Sequence, residues 1–336
     1  MQVAQLTKYD KHNLKLEIVA VAPPQIADHE VLVKVTAAGV NPLDNLISRG
    51  EIKLLLPYKL PQTAGNEMVG IIEKVGKNVT NFKTGDRIFA RLPLAKIGAF
   101  AEYVAVDAKA LAKVPVYLSD IEAAAVPLTA LTIMQAFELM NIQAGKTIFI
   151  SGGTGGVGAM AIPLAKAKGL RVITNGNALN AERVLKLGAD QFLDYKTQDY
   201  TQELNDVDYV LDTLGGAETE KQMSVMKKGG RLVSLRGMPN GEFAKRTGLP
   251  RWKQLLLGVA GHKYDKLATK YGVHYYFMNV ESNGAQLQEV ADIFNQKQIK
   301  PSIDTVYPFE QVNEALEKVD RGHSKGKTVL TFSDVK

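Results

Sequence analysis

Apolar and polar residues alternate with a period of two along Glu30-Val-Leu-Val-Lys-Val-Thr36 and again along Met68-Val-Gly-Ile-Ile-Glu-Lys-Val75, the pattern of strands with one face buried. Turn residues punctuate this first third at Ala22-Pro-Pro24, Gly76-Lys-Asn78 and Thr84-Gly-Asp86. Repeated short strands broken by such turns predict a small β-barrel up to about Leu118. The pattern then changes. Ser119-Asp-Ile-Glu122 has the form of a capping box opening a helix, and a second helix is expected over 130–140. Further on, compact apolar runs at 147–150, 171–174, 191–193, 209–211 and 231–235 alternate with helical periodicity. That rhythm predicts a parallel sheet covered on both faces. Residues 238–271 read as a helical excursion and 273–278 as a last strand. A helix over 286–297, a short helical piece near 310–319 and a closing strand at 327–332 complete the expected order.

The turn between the first parallel strand and its helix is Ser151-Gly-Gly-Thr-Gly-Gly-Val-Gly158. Gly153, Gly155 and Gly158 match G-x-G-x-x-G. The first allows the tight turn, the second lets backbone approach a pyrophosphate, and the third lets helix and strand pack closely. Thr154, Gly156 and Val157 share this loop, whose free N–H groups would face the phosphates at the helix N-terminus. With a strand on one side and a helix on the other, the loop is read as dinucleotide-binding. Pro163 lies inside the helix and removes one backbone hydrogen bond, so a kink is expected there.

Composition narrows the class. The chain has 336 residues, 46% hydrophobic and 23% charged, enough for two globular domains with a sizeable core. No apolar run approaches the ~20 residues needed to span a bilayer, and Met1-Gln-Val-Ala-Gln-Leu-Thr-Lys8 lacks the layout of a signal peptide. No cysteine is present, which excludes disulfides, thiolate nucleophiles and cysteine-ligated zinc. A cytoplasmic location is expected, with no membrane partner. The net charge of +6 is concentrated in 243–270, with Lys245, Arg246, Arg251, Lys253, Lys263, Lys266 and Lys270 around Trp252. This stretch reads as a solvated helical face that attracts an anionic cofactor; nucleic acid is not the expected partner.

The chain resembles the medium-chain dehydrogenase/reductase superfamily, in its zinc-free quinone and enone oxidoreductase branch. The matching stretches include Gly39-Val-Asn-Pro-Leu-Asp44, Ala64-Gly-Asn-Glu-Met-Val-Gly70, Gly85-Asp-Arg-Ile-Phe89 and Gly98-Ala-Phe-Ala-Glu-Tyr103. Others are Ala124-Ala-Val-Pro-Leu-Thr-Ala-Leu-Thr132, the glycine loop, Leu187-Gly-Ala-Asp190, Lys300-Pro-Ser-Ile-Asp304 and Gly326-Lys327. The resemblance implies an α/β protein with a GroES-like β-barrel domain (1–120 and 280–336) and an inserted Rossmann domain with a doubly wound parallel sheet (121–279). It also implies a homodimer that pairs the last strands of two Rossmann sheets. Asn41, Asn66 and Leu128 stand where zinc-dependent relatives carry Cys, His and Cys, and none is a credible zinc ligand. The five histidines, His12, His29, His262, His274 and His323, form no ligand pair in the sequence.

NAD enzymes usually place an acidic residue ~20 positions after the glycine loop, on the ribose 2′-hydroxyl. Thr174-Asn-Gly-Asn177 stands there instead, which favours NADPH. Asn175, Asn177 and Tyr195 are assigned to the cofactor, and Arg183 is a candidate substitute for the family lysine, whose position is Asn180. Thr132 near the nicotinamide, and Leu214, Ser234, Leu235 and Arg236 at two strand ends, complete the expected cofactor set. The implied reaction moves hydride to a quinone or to the β-carbon of an α,β-unsaturated carbonyl. Asn41 is the first candidate to line the pocket, and Tyr58 and Lys59 are candidate donors to the substrate oxygen. Leu46, where some family quinone reductases have tyrosine, makes an aliphatic enone as good a substrate as a ring quinone. Two alternatives stay open: an enoyl-thioester reductase, and a low-turnover nucleotide-binding protein that takes RNA or a partner through 243–270.

Overall fold

The computed structural model describes residues 1–322 and 324–332; His323 of the sequence reading lies outside them. Contacts divide the chain into one unit of Met1–Leu131 and Glu281–Lys336 and a second of Thr132–Val280. The sequence places these boundaries at 120/121 and 279/280. The first falls later because the helix Pro127–Met140 starts inside the first unit, where the Leu128 amide donates to Glu67 Oε2 (2.7 Å). The stretch Asp120–Met140 also corrects the expectation of no span-length apolar run. It has membrane-spanning length and hydropathy, but 72% of its apolar window is buried inside the protein. Its apolar residues are therefore core.

In the first unit the long strand Glu30–Val40 organises the sheet. Its Val31, Val33 and Val35 are buried with Met68, Ile72, Ile88 and Phe100, as the alternation requires. It pairs antiparallel with Glu67–Val75, with Tyr103–Asp107 along its first half, and with Lys327–Thr331 along its second. Strand Ile303–Pro308 lies parallel to Lys327–Thr331 at the edge; this strand was not anticipated from its polar pattern. The two ends of the chain thus complete one sheet, and Leu330 faces Ala38 across it.

The second unit holds six parallel strands. They are β1 (Thr147–Ile150), β2 (Arg171–Gly176), β3 (Gln191–Asp194), β4 (Val207–Asp212), β5 (Met226–Ser234) and β6 (His274–Phe277). Their order is 3-2-1-4-5-6, the doubly wound arrangement whose strand order reverses beside β1 and β4. Helices α1 (Gly156–Ala167), α2 (Ala181–Lys186), α3 (Ala217–Ser224) and α4 (Arg251–Tyr271) follow strands or the excursion before β6. Pro163 does not stop α1, which runs on to Ala167. Phe149, Ile173, Val210 and Leu232 from the strands pack with Tyr264 and Ala268 of α4.

Candidate active site

The glycine loop leaves β1 at Ser151 and enters α1 at Gly156. A Cβ at Gly153 would lie 1.9 Å from Thr174 Oγ1, and one at Gly158 would lie 2.4 Å from Gly153 Cα. Only glycine fits at either place. A Cβ at Gly155 would meet nothing nearer than Gly152 O at 3.4 Å, so the fold leaves that side of the loop open.

Asn175 anchors the loop: its Oδ1 accepts from the Gly152 amide (2.8 Å) and its carbonyl from the Gly153 amide (3.0 Å). Its buried carboxamide therefore shapes the phosphate turn. Asn177 Oδ1 caps the turn after β2 by accepting from the Leu179 amide (3.1 Å). Arg183, on α2, donates from Nη2 to the Thr154 carbonyl (2.6 Å), which brings a cation to the glycine loop across 29 residues of chain.

A cavity of about 750 Å³ opens at the carboxyl ends of β1–β4. Gly152, Thr154, Asn175, Gly176, Tyr195 and Leu214 border it, with the half-exposed faces of Tyr195 and Leu214 forming apolar walls. Lys196 and Lys221 also line it and were not singled out in the sequence. Lys196 directly follows Tyr195, and that adjacency was the available signal. Lys221 is held by Glu218 (2.8 Å), whose other oxygen accepts from the Tyr200 hydroxyl (2.8 Å). Burial, together with that carboxylate, pushes the Tyr200 hydroxyl far above the usual phenol range. The size suits the adenosine part of a dinucleotide. Residues 174–177 at the end of β2 carry no carboxylate that would repel a 2′-phosphate, while Asp199 and Glu218 line the cavity further along.

Ser234 is buried and donates to Asp212 Oδ2 (2.8 Å), which also accepts from Thr219 (2.7 Å). Asp212 Oδ1 accepts from the amides of Leu214 (3.1 Å) and Gly215 (2.8 Å), so this carboxylate caps the turn after β4. Leu235 and Thr132 are partly exposed, and Arg236 is exposed.

In the first unit a buried polar cluster surrounds Asn41, ahead of the short helix Pro42–Ser48. Lys327 Nζ lies 2.5 Å from Glu67 Oε1 and donates to Asn41 Oδ1 (2.6 Å). Asn41 Nδ2 donates to Glu67 Oε1 (2.8 Å), and Asp44 accepts from the Asn41 amide (2.8 Å) and Asn66 Nδ2 (2.7 Å). Every polar atom of the Asn41 carboxamide is thus engaged within the cluster. Arg91 is fully buried and donates from Nη1 to the Leu92 carbonyl, and burial pushes its pKa down to about 10. The Tyr58 hydroxyl donates to the Leu94 carbonyl (2.8 Å) and is raised to about 12 by burial, while Lys59 is exposed.

Burial raises Asp44 to about 6, against hydrogen bonds from Asn66 and the Asn41 amide that favour the carboxylate. Folded Asp44 keeps its proton up to that pH, whereas the unfolded chain releases it near 3.8. The folded state binds more protons in this window, so the stability it contributes is present below about pH 4 and is lost as pH rises through 6. Between pH 4 and 7, the stability difference between the parent and Asp44→Asn should shift by about 2 kcal/mol in favour of the variant. Urea unfolding across that range measures it; a pH-independent difference would show that Asp44 is ionised throughout.

The fold and the cavity define the class: a two-unit protein whose second unit has the doubly wound sheet and glycine loop of dinucleotide-binding domains. Residues 27–116 match the alcohol dehydrogenase GroES-like domain family and residues 187–330 the zinc-binding dehydrogenase family. The chain is 33% identical, over 98% of its length and 90% of the relative's, to the mitochondrial NAD(P)H oxidoreductase RTN4IP1 of Danio rerio. It is 31% identical to the 2-methylene-furan-3-one reductase of Solanum lycopersicum, over 94% of this chain and 75% of that one. The solved quinone oxidoreductase of Escherichia coli, complexed with NADPH, superposes with a TM-score of 0.79 at 25% identity, covering 98% of this chain and 100% of the other. The chain belongs to the quinone and enone oxidoreductase branch of the medium-chain dehydrogenase/reductase superfamily, and is an NAD(P)H-dependent oxidoreductase by that membership.

The zinc in the second family's description does not fit this donor set. Among the described residues no group of three or more His, Cys, Asp or Glu side chains is placed to hold a metal. At the position of the cluster, the Lys327 ammonium already balances Glu67 and occupies Asn41 Oδ1, where it would repel a dication.

Proposed function

We propose that the protein transfers hydride from NADPH to quinones or to the C=C bond of α,β-unsaturated carbonyl compounds, without zinc. Its cofactor is NADPH, which when bound supplies the hydride. The observation that carries the reading is the cavity at the end of the 3-2-1-4-5-6 sheet, with Arg183 at the glycine loop and no carboxylate at the end of β2. Gly155 leaves room for a pyrophosphate, and Asn175 holds the loop amides in place. Tyr195 and Leu214 line the cavity and would hold the adenosine, and Lys196, also in its lining, would supply a cation for the 2′-phosphate.

In the first unit Asn41 acts as a fixed wall, because its carboxamide is saturated by Lys327 and Glu67. Tyr58 has committed its hydrogen to Leu94, which leaves Lys59 as the available donor to a developing substrate oxyanion; the final proton then comes from water. The tomato relative is named for a methylene group conjugated to a ring ketone, which supports enones beside quinones. A homodimer that pairs β6 with its copy belongs to the same proposal, supported by the position of β6 at the end of the sheet. A cytoplasmic location is also part of it, supported by a chain without cysteine.

Absorbance at the reduced-nicotinamide band, with a panel of 2-alkenals, cyclic and aliphatic enones, quinones and enoyl thioesters, tests the reading. NADPH should be oxidised with enones or quinones at least about tenfold more efficiently than NADH. Turnover of thioesters alone would move the protein to acyl reduction. Binding of NADPH with no turnover of any acceptor would make it a binding protein.

A further inference from the structure

Helix α4 carries two apolar stripes on opposite sides. Leu257, Gly261, Tyr264 and Ala268 form the one that packs onto the sheet unit. The other, Trp252, Leu255, Leu256 and Val259, points outward, with exposures of 58%, 74%, 47% and 74%. Their spacing of i, i+3, i+4 and i+7 places all four on one solvent-facing line of the helix. Single exposed apolar residues are ordinary, but four large ones in one contiguous stripe mark an interaction surface.

Charge says what covers it. Lys263 and Lys266 continue the same outward line toward the helix C-terminus, and Arg251 lies exposed at its other end. From 241 to 271 seven Lys and Arg side chains face two carboxylates, Glu242 and Asp265, so this stretch supplies most of the protein's net +6. Asp265 is also turned inward, accepting from Asn240 Nδ2 (2.6 Å). An apolar stripe bracketed by cations at both ends, with an aromatic ring at its rim, complements a surface that is anionic outside and apolar beneath.

We propose that α4 docks this protein on the surface of an anionic phospholipid bilayer. Leu255, Leu256 and Val259 enter the headgroup boundary, Trp252 sits at the interface, and the flanking lysines meet lipid phosphates. The sequence reading expected no membrane partner; the outward face of α4 argues for one. A second copy fits less well, because an antiparallel pairing of two such stripes sets the lysines of one helix against the cations at the start of the other. Nucleic acid fits less well too, since three aliphatic side chains would face phosphates and only one aromatic ring is offered for stacking.

Trp252 is the chain's only tryptophan, so its emission reports on this stripe alone. The full-length protein is titrated with vesicles of pure phosphatidylcholine and of phosphatidylcholine with 30% phosphatidylserine, and co-sedimentation is measured in parallel. The expected result is a blue shift and co-sedimentation with the anionic vesicles only, weakening at least tenfold from 50 to 300 mM salt. Leu255→Asp/Val259→Asp should lose that binding at least tenfold, with NADPH binding by calorimetry unchanged as the check on folding. No shift with either vesicle, or equal binding to neutral ones, overturns the proposal. So does a blue shift that appears with protein concentration alone, or only with a single-stranded oligonucleotide.

Discussion

Lys327→Met lowers the stability of the GroES-like unit by about 3–5 kcal/mol, the cost of leaving a buried charge without its partner. Glu67 is fully buried and its Oε1 accepts from both Lys327 (2.5 Å) and Asn41 Nδ2 (2.8 Å), while Oε2 holds the Leu128 amide (2.7 Å). Loss of the ammonium leaves the carboxylate with two neutral donors in a site closed to water. Lys327 also tethers the closing strand Lys327–Thr331 to Asn41 at the end of Glu30–Val40, so sheet closure and the polar cluster weaken together. In the double variant Lys327→Met/Glu67→Gln neither member of the pair leaves a charge behind. It should recover more than half of the loss, a coupling that a double-mutant cycle from urea unfolding reads directly. Additive effects would mean that the pair contributes no interaction of its own.

The second large effect is on cofactor binding. Gly155→Val should fold as the parent does and bind NADPH roughly 100-fold more weakly, because its side chain would occupy the open side of the phosphate turn. Gly155 has φ −81° and ψ 173°, which any residue adopts, and a Cβ there meets only an ordinary contact. Gly158→Ala is the contrast. Its Cβ would lie 2.4 Å from Gly153 Cα and 2.6 Å from the Gly152 carbonyl, both backbone atoms that cannot step aside. That variant should lose stability through the packing of α1 on β1, with affinity falling as a consequence. Calorimetric titration with NADPH, beside thermal unfolding without it, separates the two. Equal loss of stability in both variants would remove the distinction drawn between the two glycines.

The strands with a clear apolar pattern were legible because their signal is local: the two-residue alternation of Glu30–Val40 follows from one buried face, and the apolar run of β1 from two, whereas Ile303–Pro308 carries no such pattern. The glycine loop was legible for the same reason. Three glycines at fixed spacing between a strand and a helix encode a backbone path, and the backbone here follows it.

What each polar side chain does was decided by partners far away in the chain. Asn41 reads as a pocket residue with a free carboxamide, but Lys327, 286 positions on, takes its carbonyl oxygen and fixes it in place. Ser234 and Asn175 are both expected at the cofactor, and folding commits the Ser234 hydroxyl to Asp212 and the Asn175 carboxamide to the Gly152 amide. Arg183 looked at best like a lysine substitute, and only folding carries it back to the Thr154 carbonyl. The outward stripe of α4 was hidden in the same way: periodicity reveals that a helix has apolar positions, but not which of two apolar faces the rest of the fold will cover. The sequence by itself determined the strongly patterned elements, the phosphate turn and the absence of thiolate chemistry, because those depend on a residue and its near neighbours. The tertiary structure decided which side chains remain available for chemistry, because a hydrogen bond spends a group's capacity wherever in the chain its partner lies.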